Sequence, residues 1–136
     1  MQDDLFLGRW RLIPELCLYE SGDVPLAGLY TIHELSPGLL HLSIEWTAAD
    51  GTPQQTEFSG PADGSRQSLD GPGVTAFSMT RVGPAVLDSA AFSDEDEVMY
   101  ARRSVSADGQ LLSTVQAARS GDGSIRNFQV YRREDE

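Results

Sequence analysis

Lysine is absent from this 136-residue chain, and all ten basic side chains are arginines. Without a lysine amine, P-loop nucleotide hydrolysis, Schiff-base chemistry and pyridoxal catalysis are excluded, because each uses that group. Positive charge is scarce altogether: 21 acidic residues against 10 basic ones give a formal net charge of −11. Such a surface repels phosphate backbones and anionic lipid, so neither nucleic acid nor a membrane is an expected partner. Cysteine is nearly missing. Cys17 has no second cysteine to pair with, so no intrachain disulfide supports the fold, and an inert apolar role is expected for it. No apolar run approaches the roughly 18 residues of a membrane span. The start, Met1-Gln2-Asp3-Asp4, lacks the basic and apolar stretches of a signal peptide, and the expected location is the cytoplasm.

Catalytic and cofactor motifs are missing as well. There is no G-x-S-x-G, no H-E-x-x-H and no C-x-x-C, and Gly71-Pro72-Gly73 lacks the third glycine of a dinucleotide loop. The acidic run Asp94-Glu95-Asp96-Glu97 does not have calcium-loop spacing and is expected to be a solvated turn. No cofactor and no metal site is therefore expected.

Turn signals are abundant. Asp-Gly occurs five times, at Asp50, Asp63, Asp70, Asp108 and Asp122, joined by Pro37-Gly38 and Gly83-Pro84. Asp-Gly favours tight hairpins, because both residues tolerate positive φ. Between the turns lie Val-, Leu-, Ile-, Thr- and aromatic-rich segments without helical periodicity. They predict ten strands, over residues 5–13, 26–35, 39–47, 54–60, 66–69, 74–82, 85–92, 98–106, 110–119 and 124–133. Short connections make successive strands antiparallel neighbours, and a meander of that length hides its edges by closing on itself. The expectation is one all-β, antiparallel up-and-down barrel of eight to ten strands spanning residues 1–136, with interior room for a small molecule.

The Pro37-Gly38 hairpin predicts a facing. With Ser36 opposite Leu39, residues Leu29, Thr31, His33 and Leu35 share the inner face with Leu40, Leu42, Ile44 and Trp46. Tyr30, Ile32 and His41 then face outward, and the chain's two histidines stand on opposite faces. His33 and Trp46 become candidate ligand-binding residues, His33 also a candidate acid–base group or haem ligand. Tyr100, Arg102 and Arg103 are further candidates. A two-residue Asp108-Gly109 loop and a bulged three-residue loop differ by one residue of register. The bulged form sends Arg103 inward with Met99, Ala101, Val105, Leu111, Val115 and Ala117, and puts Tyr100 and Arg102 outside. An inward arginine calls for an anion, either a ligand carboxylate or a partner such as Asp88. In the last strand Gln129 and Tyr131 alternate with Phe128 and Val130, and either pair suits the interior.

Gly8-Arg9-Trp10-Arg11-Leu12 resembles the G-x-W motif that opens the first strand of lipocalins and other calycins. The likeness continues through Ala49-Asp50-Gly51-Thr52-Pro53, Phe58-Ser59-Gly60, Ser106-Ala107-Asp108-Gly109-Gln110-Leu111-Leu112 and Asn127-Phe128-Gln129-Val130-Tyr131. Together these segments resemble a bacterial lipocalin-like domain of poorly characterised function. The resemblance implies that Trp10 plugs one end of the barrel, with Gly8 beside it, and packs on an arginine near the end of the chain, Arg132 or Arg133. The R-x-Y pair with which fatty-acid-binding proteins hold a carboxylate is replaced by Gln129-x-Tyr131. About a dozen residues separate the first two main strands, too few for those proteins' helical lid. The leading expectation is a non-enzymatic barrel binding a small, partly apolar ligand. The alternatives are an enzyme or haem site built on His33, and a solid partner-binding module presenting Tyr30 and Ile32.

Overall fold

The structure, a computed structural model, describes residues 4–20, 23–68, 74–120 and 123–134. All ten expected strands form. They are β1 (Gly8–Leu12), β3 (Ala27–Ser36), β4 (Leu39–Thr47), β5 (Pro53–Pro61), β6 (Asp63–Ser68), β7 (Ala76–Gly83), β8 (Val86–Ser93), β9 (Asp96–Val105), β10 (Leu111–Ser120) and β11 (Gly123–Arg133). Between β1 and β3 the chain adds a single 3-10 turn (Pro14–Leu16) and the two-residue β2 (Leu18–Tyr19), which pairs with β11. Asp70, Gly71 and Asp122 of two expected turns, and the Gly71-Pro72-Gly73 segment, lie outside the described residues.

Neighbouring strands follow chain order around a nearly closed antiparallel barrel, with β1 joining β3 to β11. The opening in the hydrogen-bonded wall lies between β5 and β6. Side chains close it: the Phe58 and Phe77 rings meet edge to face with centroids 5.4 Å apart. Gly60 makes that seam possible, since a Cβ there would stand 3.2 Å from the Phe77 ring.

One end of the barrel is solid. Trp10 is wholly buried among Phe6, Ile32, Leu42, Met79 and Leu112. Its indole Nε1 donates to the Phe6 carbonyl at 3.0 Å, and the Arg133 guanidinium lies 4.2 Å over its ring. Arg133 also donates to the carbonyls of Leu5 (2.6 Å), Leu7 (2.9 Å) and Gly109 (2.7 Å). One side chain thus ties the N-terminal plug to the β9–β10 turn. Gly8 has φ +134°, and a Cβ there would sit 2.6 Å from Arg133 Nη1, so both backbone and neighbour demand glycine. The plug is as the sequence implies, but its arginine is Arg133. Arg132 pairs with Arg11 one residue along and faces solvent.

One register differs from expectation, and a second is decided between the two loops the sequence allows. Below Ser36–Leu39 the β3–β4 ladder slips by one residue at Leu35, so that Glu34 pairs with Leu40 and His33 with His41. A one-residue bulge reverses every side chain of a strand. Tyr30 and Ile32 therefore point inward and are buried, while Leu29, Thr31, His33 and Leu35 do not enter the core. The β4 facing stands, with Leu40, Leu42, Ile44 and Trp46 on the inner side. At the other hairpin, Ser106 N–H donates to Leu111 O at 2.9 Å across the Asp108-Gly109 turn, and Val105 pairs with Leu112, which is the register of the two-residue loop and not of the bulged one. Asp108 holds it by accepting from Gln110 N–H at 3.1 Å and from the Ser106 hydroxyl, while Gly109 takes the positive φ. That register turns Leu112, Thr114 and Gln116 inward and leaves Leu111 and Val115 exposed, against the bulged reading.

Candidate functional site

The end opposite Trp10 is hollow. A cavity of about 330 Å³ opens there, walled by Ile44 and Trp46 from β4, Tyr30 from β3, Gln116 from β10, and Gln129 and Tyr131 from β11. Leu12 and Gly28 form its apolar floor and side, and Thr56 from β5 and Ala48 and Ala49 complete the rim. The segment after β1 crosses this end, bringing Tyr19, Asp23 and Pro25 to the opening. It is held by the β2–β11 pairing and by Glu20, whose carboxylate accepts from Arg126 N–H at 2.6 Å. Cys17 fixes the same segment, donating to the Ile13 carbonyl. Burial pushes its thiol pKa up, as suits an inert residue.

A neutral polar chain runs through the cavity wall. Tyr131 Oη donates to Gln129 Oε1 at 2.8 Å, and Gln129 Nε2 donates to Tyr19 Oη and, at 3.4 Å, to Gln116 Oε1. Burial is the main cause raising the pKa of Tyr131 far above the usual phenol, and it raises Tyr19 and Tyr30 as well. All three phenols are therefore neutral hydroxyls at neutral pH. The Tyr30 and Tyr131 rings meet edge to face, 5.5 Å apart.

Arg103 lies behind this wall. It is 3% exposed, donates through Nε to Tyr30 Oη and through Nη1 to Ser89 Oγ at 2.9 Å, and does not line the cavity. Among the described residues no carboxylate forms a salt bridge with it. Thr114, directly opposite on β10, is 1% exposed, and among the described residues its hydroxyl has no hydrogen-bond partner.

The sequence candidates separate accordingly. Trp46, Gln129 and Tyr131 border the cavity, and Arg103 points inward as the bulged reading holds. Its suggested partner Asp88 is elsewhere: on the outer face Asp88 takes a bidentate pair of bonds from Arg102, at 2.7 and 2.8 Å. Those bonds are the main cause holding the Asp88 carboxyl below its usual range. Tyr100 stands on that outer face beside the pair. His33 is exposed, its ring 5.1 Å from that of His41, so an interior acid–base or haem site has no histidine to use. Tyr30 and Ile32, the outward patch of the partner-binding alternative, are buried.

Sequence reasoning missed Tyr19, Tyr30, Asp23 and Gln116. Tyr30 was hidden by the Leu35 bulge, and Gln116 by the apolar pull of Val115 and Ala117 toward the wrong face. Tyr19 and Asp23 belong to a segment with no alternation to assign them.

No family model and no curated protein matches the sequence. Solved structures do match over nearly the whole chain. The fluorescent protein UnaG is 17% identical, with a TM-score of 0.63 covering 95% of this chain and 97% of that one. The zebrafish ileal bile acid-binding protein, complexed with cholic acid, is 10% identical with a TM-score of 0.59, covering 96% and 99%. The siderocalin Ex-FABP is 12% identical with a TM-score of 0.52, covering 97% of this chain and 76% of that one. The chain therefore shares the fold of these proteins, an up-and-down antiparallel β-barrel like that of fatty-acid-binding proteins.

Proposed function

We propose that this chain is a carrier that takes one small, partly apolar molecule into the hollow end of the barrel. The observation that carries the reading is the cavity: about 330 Å³, apolar and aromatic on its walls, with a few converging phenols and amides. That size and lining are those of small-molecule sites, which bury an apolar body and orient it by few polar groups. The likeness in fold to a protein complexed with cholic acid supports the reading.

The test uses an uncharged probe that fluoresces in apolar surroundings, N-phenylnaphthylamine. Saturable one-to-one binding is expected, with energy transfer from tryptophan that falls in Trp46→Phe to the share supplied by Trp10. Ile44→Trp, which fills the cavity, is expected to weaken binding at least about tenfold with the circular dichroism spectrum unchanged. Equal binding to Ile44→Trp, or no binding to the parent protein, would overturn the proposal.

A further inference from the structure

Charge divides the cavity from everything around it. Among the described residues that line it, Asp23 is the one charged side chain, and no arginine or histidine reaches it. The buried inward cation Arg103 stands behind Tyr30, donates to Tyr30 and Ser89, and does not line the cavity. Asp23 is exposed while bordering the cavity, which puts its carboxylate at the opening. Around the same space stand four aromatic side chains, Tyr19, Tyr30, Trp46 and Tyr131.

We infer, resting on the interior-binding reading above, that the cavity is built for an organic cation: an ammonium group on an apolar body, rather than a carboxylate. An ammonium in this space has a carboxylate at the opening and aromatic rings around it, each a favourable partner for positive charge. A carboxylate in the same place meets Asp23 with no cation beside it. The whole molecule works in the same direction, because a net charge of −11 draws cations to the opening and repels anions. The apolar body then lies against Ile44, Leu12 and the Trp46 ring.

Three probes with one ring and three heads test this by titration calorimetry: naphthylmethylammonium, naphthylmethanol and naphthoate. The ammonium is expected to bind about tenfold more tightly than the alcohol, and the carboxylate more weakly than both. Added salt is expected to narrow the gap between ammonium and alcohol. In Asp23→Asn the ammonium and the alcohol are expected to bind within about twofold of each other, and Asp23→Glu is expected to restore the preference. A carboxylate that binds as well as the ammonium, or a preference unchanged in Asp23→Asn, would overturn the inference while leaving interior binding in place. Failure of all three, the alcohol included, would overturn both.

Discussion

Trp10→Ala is expected to lower the unfolding free energy by about 3–5 kcal/mol, the range for emptying a large aromatic site in a packed interior. Three losses coincide. The ring is fully buried, so its removal leaves a void at the solid end of the barrel. The Phe6 carbonyl loses the indole N–H that satisfies it, and the Arg133 guanidinium loses the face it rests on. Arg133 also joins Leu5, Leu7 and Gly109, so slack there loosens the plug, β11 and the β9–β10 turn together. Trp46→Ala, at the half-buried rim, is expected to cost less than half as much. Urea unfolding followed by circular dichroism measures both. A loss below about 1 kcal/mol for Trp10→Ala would contradict the plug.

The second large effect concerns Arg103. Tyr30→Phe is expected to cost about 2–3 kcal/mol, because it leaves a buried guanidinium Nε without its acceptor. Adding Arg103→Met is expected to recover most of that loss, bringing the double variant within about 1 kcal/mol of the parent. The reasoning is one of balance. A buried cation with hydroxyl partners and no salt bridge gains little from its neighbours beyond the cost of leaving water. Removing both polar partners removes that cost too. The two-residue cycle, read from urea midpoints, gives the coupling directly. Simple additivity of the two losses would show that Arg103 stabilises the barrel through contacts other than Tyr30.

The strands were legible because Asp-Gly turns and alternating side chains mark them locally. All ten expected strands form, and Trp10 and Gly8 occupy the places their motif implies. Facing was legible only where one side of a strand is clearly apolar, as in β4. In β3 both sides carry large apolar residues, Leu29 and Leu35 against Tyr30 and Ile32. Their assignment thus hung on a single bulged residue that no hydrophobic pattern records. The same parity decides between Arg132 and Arg133, and between Leu111 and Leu112. The cavity was less legible still. Its polar wall comes from separate strands, and Asp23 and Tyr19 reach it from a segment outside the main ladder.

A broader depression of about 510 Å³ lies over the outward-facing Arg11, Leu29, Glu45 and Gln55; among the described residues it shares only Gly28 and Trp46 with the cavity, and it offers a ligand a second place outside the barrel. Amide chemical shifts of the nitrogen-labelled protein, followed during titration with naphthylmethanol, separate them most directly. Interior binding predicts saturable shifts at Tyr19, Tyr30, Ile44, Trp46, Gln116 and Gln129, with His33, Leu29 and Val115 unmoved. Shifts gathered on Arg11, Leu29, Glu45 and Gln55, or no saturable shifts at all, would contradict it.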